Sequence, residues 1–217
     1  AKILQSMLLK AKKFGEALNL DSVSTFECIL DKDKLYFMEV NTRIQVEHRV
    51  TEMAYKLRFT NPENNKDTFE VDSLVASMIL INCYSEKLQL PKRVSRSISG
   101  VEARINATNS ALNPQAGGIV KEWSLPIKDE TRDDQGISAV NQFTGRMQPY
   151  NLTGAYDSNV ALCITEGSSQ KKSFEKLTEI FRQMDVSGQD LHLNIEFIYG
   201  ILNWILGNNP MFKPNTN

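Results

Sequence analysis

Polar and apolar residues alternate along the stretch Glu39-Val-Asn-Thr-Arg-Ile-Gln-Val-Glu-His48. Successive side chains of a β-strand point to opposite faces, so a strand here would gather the odd-numbered residues on one face. Those residues are Glu39, Asn41, Arg43, Gln45 and Glu47. They could together hold a metal ion and an anion, while the opposite, mostly apolar face packs on a core. An edge strand with one solvated face would alternate in the same way, and both interpretations stay open here.

A β-hairpin is predicted to lead into this stretch. Its first strand is Val23–Leu30, its turn is Asp31–Lys34 and its second strand begins with Leu35–Met38. If the hairpin is centred on Asp33, Glu27 faces Glu39, and directly opposed like charges destabilise a sheet. A divalent cation between the two carboxylates would remove that repulsion. A different register, with both carboxylates in water, is the alternative.

The rest of the first part of the chain is predicted from periodicity. Apolar residues at helical spacing predict an amphipathic helix over Ile3–Leu18 that packs on the hairpin. Ser73–Cys83 is predicted as a mostly buried helix. The polar segment Ala54–Asp67 is predicted as a loop, and Gln89–Arg96, which contains Pro91, as a linker.

A second unit is predicted from about Ser97, with mixed strands and helices. The predicted strands are Gly100–Ala107, Gly118–Leu125, Ile137–Phe143 and Val160–Thr165, with a charged turn at Asp129–Gly136. The predicted helices are Ser173–Met184 and Asp190–Leu206. This order of elements favours an α+β fold for both parts of the chain.

Composition describes an ordinary globular protein of 217 residues with a formal net charge of −1. Nothing in that charge suggests binding to nucleic acid. Apolar runs such as Leu74–Cys83 are too short to cross a membrane, so no membrane association is expected. Cys28, Cys83 and Cys163 are odd in number, widely spaced and set in apolar runs, which favours buried reduced thiols and a cytoplasmic location over a disulfide framework or a zinc site.

Three motifs follow one another along the chain within Phe37–Met53, Val101–Ala107 and Ala155–Ser158. The first joins Glu-Val-Asn-Thr-Arg to Gln-Val-Glu-His and Val-Thr-Glu, and it closely resembles the signature of the biotin carboxylases in the ATP-grasp superfamily. The second resembles their Val-Glu-x-Arg-Ile-Asn-Ala strand, and the third their Tyr-Asp-Ser segment. The resemblance implies the C-terminal half of such an enzyme. Residues 1–90 would be the C-terminal part of the ATP-grasp domain with a connecting helix, and residues 91–217 the biotin carboxylase C-terminal domain.

The resemblance also implies the chemistry of the first stage, in which ATP phosphorylates bicarbonate to carboxyphosphate. The residues that would hold Mg²⁺ or Mn²⁺ are Glu27, Glu39 and Asn41, whose side chains offer the hard oxygen donors of such sites. ATP would contact Glu27, Ile29 and Glu39, although a plain core isoleucine would look the same as Ile29. Bicarbonate would bind Arg43, Gln45 and the backbone of Val46, since the arginine fork suits a planar anion.

The catalytic residues implied by the resemblance are Arg43, Glu47 and Arg104. Glu47 would act as the base that deprotonates bicarbonate. Arg104 would bind biotin and stabilise the enolate-like oxygen that develops as N1 of biotin is carboxylated. A structural salt bridge to Glu102 or Asp157 is the alternative for Arg104.

Other polar residues of the motifs receive no catalytic role. Tyr156 and Asp157 are given structural roles, and His48 is predicted to be a packed, hydrogen-bonded histidine. No chemistry is assigned to His192.

Several positions depart from the family pattern. Arg49 stands where relatives usually carry a small residue or proline, and Asn109 where they usually carry an acidic residue. Asn159-Val-Ala-Leu162 lacks the usual lysine, and residues 97–100 lack a Gly-His pair. These changes suggest a divergent member and weaken any expectation about dimer contacts or biotin delivery.

The partners implied are ATP, bicarbonate, a biotin carboxyl carrier protein or domain and a carboxyltransferase, and biotin carboxylases are often homodimers. The glycine-rich lid and the ATP-contacting lysine of the family are missing, so we expect the chain alone to be inactive. Two other function classes remain open: another ATP-grasp ligase of the carboxylate–amine type, and a non-catalytic assembly module.

Overall fold

The computed structural model describes residues 2–115, 117–123, 131–132, 144, 148–152 and 158–207. Contacts divide the chain into two compact units, one ending at Arg96 and one beginning at Ser97. Both units mix helices with antiparallel strands, as the α+β prediction requires.

Over residues 2–96, the first unit has two antiparallel sheets and three α-helices. Its elements are α1 (Lys2–Ala17), β1 (Thr25–Asp31), β2 (Lys34–Asn41), α2 (His48–Ala54), β3 (Tyr55–Asn61), β4 (Asn64–Val71), α3 (Leu74–Tyr84), a 3₁₀ turn (Ser85–Lys87) and β5 (Lys92–Ser95). Strands β1 and β2 form a hairpin, and β4, β3 and β5 form a sheet in that order.

Helix α1 packs on the β1–β2 hairpin through aromatic rings, which confirms the predicted helix and its contact. The Phe14 ring meets the Phe26 ring edge-on, with centroids 5.7 Å apart, and lies 5.2 Å from the Phe37 ring. Aromatic contacts of this kind add to the free energy gained from burial.

The loop predicted over Ala54–Asp67 is wrong, because this segment forms most of the β3–β4 hairpin. Tyr55, Leu57 and Phe59 alternate with polar residues, which is the strand period that the polar composition of the segment obscured. Phe59 is fully buried and stacks on Phe69 of β4, with ring centroids 5.8 Å apart. The hairpin therefore has an apolar inner face.

Two further predictions in the first unit need correction. The linker predicted over Gln89–Arg96 contains β5, which pairs with β3 and brings Arg93 over the Tyr55 ring at 4.5 Å. Helix α3 is confirmed, but Ser77 is its one buried residue, and Val75 and Ile79 are 46% and 59% exposed. The prediction of a mostly buried helix assumed that an apolar sequence is covered on all sides.

Where the structure describes it, the second unit has two three-stranded antiparallel sheets and two helices. Its elements are β6 (Ser99–Asn106), β7 (Ile119–Trp123), β8 (Thr131–Arg132), β9 (Tyr150–Asn151), β10 (Asn159–Gly167), α4 (Gln170–Gln183), β11 (Val186–Gln189) and α5 (Ile195–Ile205). The strand orders are β6–β10–β8 and β11–β7–β9. Buried side chains of β6, β10 and α4, including Ile105, Val160 and Leu177, form its core.

Most predicted elements of the second unit are confirmed where the structure describes them. Strands β6, β7 and β10 and helix α4 match the predictions within a few residues. The predicted helix over Asp190–Leu206 begins later, at Ile195, and β11 was not predicted because Val186 is its only apolar residue. Strand β8 lies inside the predicted charged turn, and the predicted strand Ile137–Phe143 lies outside the described residues.

The three cysteines are free thiols, but the predicted burial holds only for Cys163, because Cys28 is half-buried and Cys83 is exposed. Burial raises the pKa of the Cys163 thiol to about 12. Among the helices that the structure describes, none has the length and apolar character needed to cross a bilayer.

Candidate active site

A β-bulge sets the register at the centre of the candidate site. From the turn at Lys32 and Asp33, the strands pair Asp31 with Lys34 and continue to the pair Cys28–Phe37. This register would put Met38 opposite Glu27, but it shifts between Glu27 and Cys28, so that Glu27 faces Glu39. The predicted opposition of the two carboxylates is confirmed. Bulges often redirect side chains at functional sites, and this one returns Glu39 to the face that carries Glu27.

Two side-chain amides hold the pair of carboxylates. Asn41 Nδ2 donates to Glu27 Oε1 at 2.8 Å and to Glu39 Oε1 at 3.2 Å. Gln45 Nε2 donates to the same Glu27 oxygen at 3.3 Å. Both carboxylates thus lie within hydrogen-bond reach of one nitrogen atom, where the positive end of the Asn41 amide dipole offsets part of their repulsion.

The donor chemistry of this cluster fits a hard divalent cation. Mg²⁺ in proteins is held by one or two carboxylates, and an amide oxygen such as that of Asn41 is a suitable further ligand. Within the described residues, no group of three or more His, Cys, Asp or Glu side chains could hold a metal ion. A metal at Glu27 and Glu39 would therefore depend on Asn41 and on oxygen atoms supplied by a substrate.

The strand predicted to continue to His48 is wrong after Asn41, where β2 ends. The backbone turns at Gln45–Glu47, since His48 N donates to Gln45 O and Val50 N to Glu47 O, both at 3.2 Å. These bonds start α2 and take up backbone groups that a continued strand would have paired with a neighbour. Arg43, Gln45 and Glu47 consequently sit on a loop, which we call the 42–47 loop.

The loop residues differ in their surroundings. The Gln45 side chain bonds Glu27 of the carboxylate pair, and Val46 is half-buried. Arg43 is exposed, and its Nη1 donates to Ile44 O at 3.2 Å. Glu47 is exposed at the start of α2. The structure thus brings together Glu27, Glu39, Asn41 and Gln45, with Arg43, Val46 and Glu47 on the adjoining loop.

Ile29 lies on β1 two residues beyond Glu27 and pairs with Tyr36. Its side chain is 53% exposed, so it is not the plain core isoleucine that was the alternative. An exposed apolar side chain beside the carboxylates is available to a flat apolar ligand.

Arg104 belongs to the second unit and is described separately. It lies on β6, half-buried, opposite Leu162 of β10. The Asn194 side chain bonds the strand on both sides of Ile105, since its Nδ2 donates to Arg104 O at 3.2 Å and its Oδ1 accepts from Asn106 N at 2.9 Å. This clamp fixes the backbone that carries Arg104. Tyr156 and Asp157 lie outside the described residues.

Sequence reasoning missed a buried carboxylate behind the 42–47 loop. Glu52 of α2 is 6% exposed and contacts Arg49, His48 and the backbone of Leu74. Its spacing of three and four residues from Arg49 and His48 is a helical signal. That signal was hidden because the segment up to His48 was interpreted as a strand.

Comparison with protein families and curated proteins relates this chain to known enzymes. The family model described as "Carbamoyl-phosphate synthase L chain, ATP binding domain" matches residues 1–59. The chain is 26% identical over 194 residues to the biotin carboxylase of Halalkalibacterium halodurans, covering 89% of this chain and 37% of that protein. It is 31% identical over 194 residues to the mitochondrial methylcrotonoyl-CoA carboxylase subunit alpha of Glycine max, covering 87% of this chain and 23% of that protein.

Solved structures give the same relationship at the level of the fold. The biotin carboxylase of Campylobacter jejuni aligns with a TM-score of 0.66 and 21% identity over 96% of this chain and 42% of that one. The biotin carboxylase domain of the Hydrogenobacter thermophilus 2-oxoglutarate carboxylase, a dimer with MgADP, ADP and bicarbonate, aligns with a TM-score of 0.58. That alignment has 24% identity and covers 84% of this chain and 35% of the other.

These findings confirm the mixed helix–strand architecture and the resemblance on which the predicted site rests. The chain spans 23% to 37% of the length of the first three curated relatives that it matches. The chain is thus similar to biotin carboxylases in sequence, and it shares their fold over the part that it spans.

Proposed function

We propose that this chain is part of an ATP-dependent biotin carboxylase, a ligase that forms carboxyphosphate from bicarbonate and ATP and then carboxylates N1 of biotin on a carrier protein. In this proposal residues 1–90 belong to the ATP-grasp domain and residues 91–217 form the C-terminal domain. The observation that carries the proposal is the opposed pair Glu27–Glu39, which a bulge aligns and which Asn41 and Gln45 bridge.

The first step requires charge neutralisation and alignment of the phosphates. Glu27, Glu39 and Asn41 would coordinate Mg²⁺ or Mn²⁺, which supplies positive charge to the phosphate oxygens of ATP. Ile29 would contact the adenine ring through its exposed apolar side chain. The opposed carboxylates support this role, because their mutual repulsion is relieved when a cation binds.

The second requirement is a bound and deprotonated bicarbonate. Arg43 would bind two of its oxygens, with Gln45 and the Val46 backbone as further donors. Glu47 would take the bicarbonate proton, and the resulting oxygen attacks the γ-phosphorus of ATP, releasing ADP and forming carboxyphosphate. The loop position of Arg43 and Glu47, next to the carboxylate pair, supports this assignment.

Transfer to biotin is the role proposed for Arg104. Carboxyphosphate would break down to CO₂ and phosphate, N1 of biotin would give its proton to that phosphate, and N1 would then bond to the CO₂ carbon. A guanidinium held near the biotin oxygen stabilises the negative charge on the enolate. The Asn194 clamp on β6 supports this role, since it gives Arg104 a rigid backbone. The carrier protein, the carboxyltransferase and a homodimer complete the proposal.

The test is ADP release by this chain and by the longest natural polypeptide that contains it, with and without bicarbonate and free biotin. We expect the longer polypeptide to release ADP only with bicarbonate, faster with biotin, and the chain alone to release none. An Arg104→Ala variant should keep bicarbonate-dependent ADP release and lose the acceleration by biotin.

A second candidate is another ATP-grasp ligase of the carboxylate–amine type. The match of residues 1–59 to a carbamoyl-phosphate synthase model favours it. ADP release that requires bicarbonate but never responds to biotin would support this candidate over the first.

A further inference from the structure

A buried carboxylate lies directly behind the 42–47 loop. The Glu52 side chain is 5% exposed, and both of its oxygens have partners. Oε1 accepts from Leu74 N at 2.7 Å, and Oε2 accepts from Arg49 Nη1 at 2.8 Å. A carboxylate so deeply buried is tolerated only when it is paired in this way. Glu52 therefore has a fixed position, tied to the first residue of α3.

His48 links this carboxylate to the loop. Its side chain is 14% exposed, with Nε2 lying 3.8 Å from Glu52 Oε1 and Nδ1 lying 2.9 Å from Gln45 O. A carbonyl oxygen only accepts hydrogen bonds, so Nδ1 carries the proton and donates it. The imidazole thus bonds the backbone of the turn and lies in contact with Glu52, at a distance too long for a hydrogen bond, which agrees with the packed, hydrogen-bonded histidine that the sequence predicted.

The contacts continue from the turn to the carboxylate pair. Gln45 accepts from His48 through its backbone and donates to Glu27 through its side chain. Glu52, His48, Gln45 and Glu27 therefore form one unbroken series of contacts from the start of α3 to the candidate metal site.

The 42–47 loop belongs to no helix or strand, so no regular backbone hydrogen bonding fixes its position. Its conformation therefore depends on contacts such as this series. Helix α3 already has a side-chain cap, since Ser73 Oγ accepts from Ala76 N at 3.2 Å. Glu52 bonds Leu74 N of α3 and Arg49 in the first turn of α2, and so it supports the helix end that carries His48.

We infer that His48, supported by Glu52, is a positioning residue that fixes the Gln45–Glu47 turn and thereby the donors of the 42–47 loop. Its effect on bicarbonate rests on the proposed function, whereas its effect on the loop does not. If the two residues only stabilised the fold, their replacement would loosen the whole first unit evenly.

Two substitutions of His48 separate its two ring nitrogens. The amide nitrogen of asparagine lies near the place of Nδ1, so His48→Asn keeps a donor for Gln45 O. The amide of glutamine extends to the place of Nε2, so His48→Gln keeps a polar group near Glu52 and loses the bond to Gln45 O. Glu52→Gln keeps an oxygen for Leu74 N and removes the charge beside Arg49 and His48.

The first measurement is backbone hydrogen exchange of this chain, comparing residues 42–48 with residues 55–71 of the β3–β4 hairpin as an internal control. We expect His48→Gln to speed exchange in residues 42–48 by about fivefold, the effect of losing one hydrogen bond. His48→Asn should stay within about twofold of the unaltered chain and Glu52→Gln should fall between them, while residues 55–71 exchange at unchanged rates. Equal exchange in the Asn and Gln variants, an unchanged Glu52→Gln variant, or an equal rise in both segments would overturn the inference.

The second measurement is the steady-state kinetics of the natural polypeptide that contains the chain. His48→Gln should raise KM for bicarbonate several-fold with little change in KM for ATP. His48→Asn, which keeps a donor for Gln45 O, should leave KM for bicarbonate close to that of the unaltered polypeptide. An equal rise in both KM values would contradict a positioning role. If the unaltered polypeptide shows no bicarbonate-dependent ADP release, the proposed function fails, and hydrogen exchange alone still decides the inference about His48.

Discussion

Replacing Glu39 with glutamine should stabilise the β1–β2 hairpin when no divalent cation is present. Glu39 lies opposite Glu27, and both carboxylates reach the same Asn41 nitrogen. Directly opposed like charges on neighbouring strands cost about 0.5 kcal/mol, and salt lowers that figure because Glu39 is exposed. In EDTA at low salt, the variant should therefore exchange its amides at residues 25–41 about twofold more slowly than the unaltered chain.

Adding Mg²⁺ should reverse this order. Free Mg²⁺ at ten times its Kd stabilises the binding-competent state by a factor of about 11. The unaltered hairpin should gain that protection, and the Glu39→Gln hairpin, with one carboxylate fewer, should gain less than about threefold.

The assay is hydrogen exchange of residues 25–41, with and without MgCl₂ and again with MnCl₂. Glu63→Gln, an exposed glutamate in the β3–β4 turn, is the matched control and should change neither result. An equal response of both hairpins to Mg²⁺, or faster exchange of the Glu39→Gln hairpin in EDTA, would refute the assignment of Glu27 and Glu39 to a cation.

Four further predictions concern the fold. Phe59→Ala removes a fully buried ring stacked on Phe69 and should cost about 3–5 kcal/mol in urea unfolding; a loss below about 1 kcal/mol would mean that the β3–β4 hairpin is not packed as described. Ser73→Ala removes the cap of α3 and should cost about 1 kcal/mol, whereas Ser73→Asn should keep most of it; equal losses would contradict the cap. Burial raises the pKa of Cys163 to about 12, so in the folded chain iodoacetamide at pH 8 should modify the exposed Cys83 and spare Cys163. Because of the same raised pKa, Cys163 loses its proton at a lower pH in the unfolded chain than in the folded one. The free energy of unfolding should therefore fall as the pH rises from the ordinary thiol pKa toward 12. Cys163→Ala should make that fall less steep.

The β1–β2 hairpin could be predicted because a short polar turn between two strand-like segments determines it locally. The turn left the register open, and Glu27 was expected opposite Glu39 only if the hairpin is centred on Asp33. The bulge at Met38 could not be predicted, since it depends on how the strand pairs through space rather than on its own composition. The turn is in fact centred between Lys32 and Asp33, and the bulge then shifts the register. Centring the hairpin on Asp33 therefore gave the correct Glu27–Glu39 pair without predicting the bulge.

The failures have physical causes at particular residues. Alternation alone extended β2 to His48, but it could not reveal that the backbone of Gln45 and Glu47 would bond forward and start α2. The polar residues between Tyr55 and Phe59 concealed a strand whose inner face is aromatic. Glu52 escaped notice because its burial depends on Leu74, which lies 22 residues away in the sequence.

The most direct test of the proposed function follows labelled carbon from bicarbonate into biotin. The natural polypeptide containing this chain, supplied with ATP, Mg²⁺, labelled bicarbonate and free biotin, should form acid-labile carboxybiotin in step with the ADP that biotin stimulates. An Arg104→Ala variant should form almost none while still releasing ADP. ADP release without any label on biotin, from the unaltered polypeptide, would contradict the assignment of this chain to a biotin carboxylase.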